Sequence, residues 1–304
     1  MPRTRSIANA IGLMVLANLF WSGNYIAGRY LAHAMPALFL NGMRWTVSAV
    51  ILLIVVRARG GRVPFRREAP LLTALGLLGM FMFSALTYLG LQQVPAAQAG
   101  MISGLMPISI MLFGAVLTGE RTTPQGWLGT LLAVCGVLVL MAAQLGHSIV
   151  APIGIVELLG AAICWGAYTA LGRKMRDRMG SLEMTAGAAV FGAVPSAIAG
   201  AASLHGADVH WTPLVVASVA YISTVASVVA YWAWNQGVAI VGAVRSAPFG
   251  NLLPIFTVAL GIVVLREHVT ALEVLGGAIT VAGALIAQGS RRTPDGISQE
   301  DALP

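Results

Sequence analysis

Residues 107–136 read PISIMLFGAVLTGERTTPQGWLGTLLAVCG, and residues 254–283 read PIFTVALGIVVLREHVTALEVLGGAITVAG. Pro107, Glu120, Gly129 and Gly136 of the first stretch recur in the second at positions 147 residues later. Nearer the start of the chain, Trp21 and the adjacent pair Gly28 and Arg29 recur 144 residues later. Residue types that recur at a nearly constant spacing predict an internal structural repeat.

The composition places most of the chain in a lipid bilayer. Of the 304 residues, 58% are hydrophobic and 10% are charged, and the mean hydropathy is +0.83, whereas about a quarter of the residues in soluble domains are charged. The basic residues cluster in short loops, where they indicate membrane topology, so we expect no nucleic-acid binding. Cys135 and Cys164 lie in apolar segments without metal-ligand spacing, so we expect no metal and no other cofactor.

The apolar segments predict an all-α integral membrane protein with ten transmembrane helices, because about 20 mostly apolar residues cross a bilayer. These segments lie at residues 7–28, 35–56, 69–91, 95–117, 124–143, 152–172, 182–204, 211–236, 243–264 and 269–288. They divide into a first five-helix repeat at residues 7–143 and a second at residues 152–288. The polar residues 289–304 predict a disordered cytoplasmic tail.

The distribution of lysine and arginine predicts the orientation in the membrane. Fourteen of the 18 basic residues fall on the side of the N-terminus, and two fall on the opposite side. The positive-inside rule therefore places both termini in the cytoplasm. Because each repeat has an odd number of helices, the second repeat enters the membrane in the opposite sense. The two repeats are then inverted, and a pseudo-two-fold axis in the membrane plane relates them.

Over residues 8–288 the chain resembles the EamA family of the drug/metabolite transporter superfamily. The matching motifs are FWSGN at residues 20–24, Arg44 with Trp45, and the recurring proline, glutamate and glycine positions described above. The resemblance implies a ten-helix carrier of the bacterial inner membrane that moves small metabolites, often amino acids in the outward direction. Substrates vary widely in this family, and no motif in this chain names one.

One residue of the proton-coupled small multidrug transporters in this superfamily is absent from the sequence. Those proteins use a glutamate within the first helix, and this chain has none between Ile7 and Gly28. Its five histidines fall in or beside loops. Without an obvious mid-membrane proton carrier, the sequence favours facilitated diffusion but does not decide between it and proton coupling.

Arg44 is the strongest single candidate for a functional residue. If its helix starts near Met35, nine residues place it about 13 Å deep, where an arginine costs about 2.5–3.5 kcal/mol and needs a partner in the protein interior. Its counterpart in the second repeat is Ala188, so the scaffold does not require it. Arg44 either binds a carboxylate or phosphate of the solute or has a structural role at carbonyls or helix ends.

Polar and aromatic side chains follow one face of the eighth segment at steps of three and four residues, and shorter stripes occur in the first and sixth. These stripes either line a solute cavity or form contacts between helices and at the membrane interface. The candidate cavity residues are Asn24, Tyr25, Arg44, Tyr88, Trp165, Tyr168, Tyr231, Trp234, Asn235 and Asn251.

Two recurring pairs also have alternative interpretations. Pro107 and Pro254 lie in mid-span, where a proline kinks a helix, and each kink is either a packing bend or a hinge. Glu120 and Glu267 lie in loops beside arginines, where we expect a local ion pair or a helix-end interaction.

The repeat favours a secondary transporter that works by alternating access, and the resemblance implies export of amino acids or related metabolites. The alternative is a multidrug or nucleoside-type efflux carrier. An intramembrane enzyme needs a mid-span histidine, paired aspartates or an HExxH helix, and the apolar segments contain none of these, so we expect no catalytic residues. The expected partners are a small-molecule solute and the lipid bilayer, and the sequence does not distinguish a monomer from a homodimer.

Overall fold

The computed structural model describes residues 2–118, 124–143, 152–172, 175, 178–205, 207–241 and 247–289. Within these ranges the chain is helical and contains no strand. The helices are α1 Pro2–Leu31, α2 Ala37–Ala58, α3 Phe65–Gln93, α4 Ala96–Leu117, α5 Pro124–Ala143, α6 Pro152–Gly172, α7 Ser181–Ala202, α8 Pro213–Ile240, α9 Leu252–Leu265 and α10 Ala271–Gly289.

Seven of these helices, α1 to α4 and α6 to α8, are long and apolar enough to cross a membrane. The helices α5, α9 and α10 are apolar but shorter by the same measure. Each apolar segment predicted from the sequence contains helix. The largest difference is in α9, which was expected from residue 243 and begins at Leu252 after the 3₁₀ turn Ala247–Asn251. Residues 242–246 and 290–304, the latter including most of the expected tail, lie outside the described residues.

The outer surface of the bundle is apolar, and its mostly apolar interior also contains polar side chains. Val116, Leu131, Ile198 and Val263 are each more than 60% exposed, and exposure of such side chains to water costs about 25 cal/mol per Å². The buried residues, in contrast, include asparagines, serines and threonines that make hydrogen bonds between helices. This distribution suits a bundle whose surface contacts lipid.

The helices pack in a pattern that is unchanged when the two halves of the chain are exchanged. Helix α2 packs against α7, α4 against α9 and α5 against α10, and each of these pairs joins counterparts in the two halves. Helix α1 packs against α8 and α9, and its counterpart α6 packs against α3 and α4. The sequence repeat is therefore accompanied by a repeat of neighbouring helices.

The contact between α5 and α10 is built on the recurring glycines. A Cβ atom added to Gly136 would lie 2.5 Å from the Thr280 nitrogen and 2.7 Å from the Gly276 oxygen. In the same way, a Cβ on Gly283 would lie 2.7 Å from the Gly129 oxygen. The later glycine of each helix faces the earlier glycine of the other, so the two helices run antiparallel. Glycine permits this close backbone approach.

Helix α4 is broken, and its start is held by the other half of the chain. The helix is interrupted at Gly104 and Leu105, just before Pro107. At its N-terminus, the backbone N–H groups of Ala96 and Ala97 each donate a 2.8 Å hydrogen bond to the carboxylate of Glu267. A carboxylate here satisfies free helical donors and interacts favourably with the helix dipole. The helix-end interaction expected for Glu267 is thus present, whereas Glu120 lies outside the described residues.

Replacing Gly136 by alanine should destabilise the protein by about 1–3 kcal/mol, because the added Cβ overpacks the α5–α10 contact. Gly12 provides the matched control, since it is exposed on α1 and an added Cβ would meet no atom within 4 Å. Thermal unfolding of both purified variants in detergent should show a lower midpoint for Gly136→Ala alone. Equal midpoints for the two variants would contradict the described packing of α5 on α10.

Candidate functional site

A small cavity lies at the centre of the bundle, between the two halves of the chain. Its volume is about 30 Å³. The described residues that line it are Asn18, Trp21, Asn24, Tyr25, Arg44, Phe83, Met106, Pro107, Ile110, Trp165, Trp234, Gly250 and Leu253. A water molecule needs about 10–15 Å³ by this measure, so the cavity is large enough for water and too small for a metabolite.

Aromatic rings form one wall of the cavity. Trp21 contacts its repeat counterpart Trp165 edge to face, with ring centroids 5.2 Å apart. Its ring also lies 5.5 Å from each of Tyr231 and Trp234, and its indole N–H donates a 3.0 Å hydrogen bond to the Ala226 oxygen. Pairs of aromatic rings at these distances stabilise a packed core beyond their buried area. The wall therefore offers a large, rigid apolar surface.

Arg44 also lines the cavity and is only 1% exposed. It lies about 10 Å from the start of α2, which begins at Ala37. The guanidinium Nε donates a 2.6 Å hydrogen bond to Ser227 Oγ, and Nη1 donates a 2.7 Å hydrogen bond to Tyr88 Oη. Tyr88 Oη in turn donates to Asn24 Oδ1 at 2.7 Å. Arg44 thus joins side chains from α1, α3 and α8.

The positive charge of Arg44 has no negative partner in the described part of the chain. The ion pairs there join Glu68 to Arg67 and to Arg178, and no carboxylate lies within 4.0 Å of the Arg44 guanidinium. Its Nε and Nη1 atoms bond the uncharged hydroxyl groups of Ser227 and Tyr88. An unpaired charge is costly in a low-dielectric interior. An anion in the cavity would pair with it directly.

The partner of Arg44 on α8 depends on a local change in helix geometry. Residues Val225–Val229 form a π-helical segment within α8, and Ser227 Oγ donates to the Ile222 oxygen five residues earlier at 2.8 Å. A π-segment widens one turn of the helix and is frequent at functional sites. Helix α3 contains a similar segment at Gly76–Met82. Each half of the chain thus contains one such segment.

The structure buries all ten candidate cavity residues, each being 9% exposed or less. Five of them line the cavity directly: Asn24, Tyr25, Arg44, Trp165 and Trp234. Three more form a layer behind these, since Tyr88 binds Arg44 while the rings of Tyr168 and Tyr231 pack against Trp165. Their role in solute binding stays a prediction.

The remaining two candidates lie apart from this group. Asn235 Nδ2 donates a 2.8 Å hydrogen bond to Thr185 Oγ1 on α7, so it links helices rather than lining the described cavity. The Asn251 side chain is buried and makes no hydrogen bond with the described residues. It follows Gly250, which lines the cavity through the 3₁₀ turn that precedes α9.

Several cavity residues were not selected from the sequence. Asn18 and Trp21 belong to the polar stripe of the first segment, and Ser227, which binds Arg44, belongs to that of the eighth. Phe83, Met106, Pro107, Ile110, Gly250 and Leu253 also line the cavity. In helices that are apolar throughout, the sequence does not distinguish apolar residues that line a cavity from those that pack elsewhere.

Apolar helices of this length around a central cavity are typical of a multi-pass membrane protein. Residues 8–142 and 152–288 both match the EamA-like transporter family. The two matches cover most of the chain, so the protein belongs to this family. A transporter of this kind acts on a small-molecule solute in a lipid bilayer.

Two relatives align with nearly the whole chain. A protein of Streptantibioticus cattleyicolor named as a probable terminal-alkyne amino-acid exporter is 28% identical over 290 residues, covering 94% of this chain and 95% of the relative. A protein of Escherichia coli named as a probable amino-acid metabolite efflux pump is 27% identical over 290 residues, covering 90% of this chain and 93% of the relative.

A solved crystal structure shows the same fold. It aligns with a TM-score of 0.66 at 23% sequence identity, and the alignment covers 91% of this chain and 95% of the other. At this level of identity the similarity concerns the fold alone.

Replacing Tyr88 by phenylalanine should destabilise the protein more than replacing Tyr221 by phenylalanine. The Tyr88 hydroxyl bonds a buried charge, which is worth about 1.5–3 kcal/mol, whereas the Tyr221 hydroxyl donates one 2.8 Å hydrogen bond to the neutral Phe20 oxygen, worth about 0.5–1.5 kcal/mol. Thermal midpoints of the two variants in detergent measure the difference. A Tyr88→Phe midpoint at or above that of Tyr221→Phe would argue against the described hydrogen bonds of Arg44.

Proposed function

We propose that this transporter exports amino acids or related metabolites by alternating access, and that Arg44 binds the carboxylate of the solute. The observation that carries the proposal is a buried arginine that lines a central cavity without a carboxylate partner among the described residues. A guanidinium can bind a carboxylate through two parallel hydrogen bonds. The names of the two relatives described above support amino acids and their metabolites as the solute class.

We also propose that the chain has ten membrane spans, arranged as inverted repeats at residues 7–143 and 152–288. The antiparallel contact between α5 and α10 supports inversion, because these helices are counterparts in the two repeats. The contact between Trp21 and its counterpart Trp165 supports a pseudo-two-fold axis that passes near the cavity. Rocking of the two repeats about this centre would expose the site to each side of the membrane in turn.

Contacts at the two ends of the bundle fit such a movement. In the proposed orientation, Arg178 Nη1 contacts Glu68 Oε2 at 2.8 Å near the cytoplasm, and Glu267 holds the start of α4 on the outer side. Both contacts join one repeat to the other. The Arg178 side chain is 54% exposed and the Glu68 side chain is 5% exposed, so solvent reaches this ion pair from one partner only.

The alternative of cationic multidrug efflux has less support. Cationic solutes favour a carboxylate in the binding site, and the described lining of the cavity contains none. The cavity chemistry therefore favours solutes that carry a carboxylate.

Transport by the Arg44→Ala variant should fall at least tenfold in proteoliposomes, because loss of a buried charge pair costs about 2–5 kcal/mol. The assay follows a panel of labelled L-amino acids and their N-acetyl derivatives. Arg57→Ala is the matched control, since Arg57 is exposed at the end of α2. Transport of no panel member by the wild-type protein, or full transport by Arg44→Ala, would refute the proposed function.

Single cysteines should report the proposed inner-membrane topology, with both termini in the cytoplasm. In a background without Cys135 and Cys164, a cysteine at Arg62 should be protected from a membrane-impermeant maleimide in intact cells, and one at His205 should react. Both positions are exposed, so accessibility to the reagent depends on the side of the membrane. Reaction of both cysteines from outside, or the reverse pattern, would exclude this orientation.

A further inference from the structure

The cavity carries one charge, and that charge is positive. Among the described residues that line it, Arg44 is the only one with a charged side chain. The described acidic residues lie at helix ends or in loops, namely Glu68, Glu157, Glu183, Asp208, Glu267 and Glu273. The other five acidic residues fall outside the ten apolar segments of the sequence, in loops or in the tail.

Several of these acidic side chains are already held in place. Glu68 is paired with Arg178 at 2.8 Å, and both carboxylate oxygens of Glu267 accept hydrogen bonds at the start of α4. Glu273 accepts a 2.7 Å hydrogen bond from the Thr270 nitrogen, and Glu157 accepts one from Gln93 at 3.1 Å. Their existing bonds tie these carboxylates to positions outside the cavity.

The neutral polar groups of the cavity cannot replace a carboxylate. Asn24 Oδ1 already accepts the hydrogen bond of Tyr88, and Asn18 Nδ2 donates to the Met14 oxygen at 2.8 Å. An amide oxygen can accept a hydrogen bond from an ammonium group, but it does not balance the charge of that group. Burial of an unbalanced charge is strongly unfavourable.

The polar residues Asn24 and Arg44 of the cavity do not recur in the second repeat. The counterparts of Asn24 and Arg44, 144 residues later, are Tyr168 and Ala188. Among the described residues, the charge therefore comes from the first repeat, while the second supplies aromatic rings such as Trp165 and Trp234. A group that the repeated scaffold does not require is better explained by the solute than by the fold.

We infer that the transported solute is a monoanion, an organic carboxylate with an apolar or aromatic body and without a free ammonium group. This inference rests on the proposed function and narrows its solute class, for example to N-acylated amino acids or 2-oxo acids. The carboxylate neutralises Arg44, and the apolar body packs against Trp21, Trp165 and Trp234. A zwitterion has no net charge, so the site would keep the one positive charge of Arg44. A cationic amine would raise the net charge of the site to two positive charges.

The test compares solutes that share a benzyl body and differ in charge. Wild-type protein in liposomes is given labelled N-acetyl-L-phenylalanine, phenylpyruvate, L-phenylalanine or phenethylamine at one low concentration, and protein-free liposomes measure leakage. We expect the two anions to enter at least tenfold faster than phenylalanine. Phenethylamine should show no transport. Transport of phenylalanine at the rate of the anions or faster would overturn the inference and leave the proposed function standing. Failure of all four solutes would contradict both.

The Asn18→Asp variant provides a second, independent readout. Asn18 lines the cavity, and aspartate adds a negative charge at almost the same size. We expect the ratio of N-acetyl-L-phenylalanine transport to phenylalanine transport to fall at least tenfold. The matched variant Asn18→Ala removes the amide without adding charge and should keep the wild-type preference. An unchanged ratio in Asn18→Asp, with transport retained, would overturn the inference.

Discussion

The central constraint on this structure is the burial of the Arg44 guanidinium, which has no carboxylate partner among the described residues. Desolvation of an ion costs several kcal/mol even after the protein relaxes, so the surrounding helices must supply polar groups. Tyr88 on α3 and Ser227 on α8 do so directly, and Asn24 on α1 does so through Tyr88. Since α8 belongs to the other half of the chain, one side chain joins the two halves at the cavity. The packing and the chemistry of the centre therefore depend on the same residue.

The sequence predicts the helices well, because a bilayer demands long apolar segments and leaves little room for other structures. Burial of Arg44 also follows from the sequence, since a charge in mid-span has to face protein or water. The contact between Trp21 and Trp165 is consistent with their equivalent positions in the repeat. These results depend on composition and on spacing along the chain, which a single sequence shows directly.

Other features depend on pairs of residues that the sequence does not connect. The helical steps of α8 were counted at three and four residues, but the π-segment Val225–Val229 changes this register at Ser227, and nothing in its composition marks it. Glu267 lies beside Arg266, yet it binds the start of α4 about 170 residues earlier. The sequence also does not predict the late start of α9, because a 3₁₀ turn and a buried helix can have equally apolar sequences.

The repeat and its exceptions have different physical roles. The proposed alternating-access movement needs two equivalent ways to pack, and close contacts such as those of Gly136 and Gly283 occur in both halves. The proposed solute has no such symmetry, since it has one charged end and one apolar end. A binding site in a symmetric scaffold must therefore break the repeat where it contacts the solute. Arg44, whose counterpart in the second repeat is Ala188, is such a break, and Arg44 lines the cavity between the two halves.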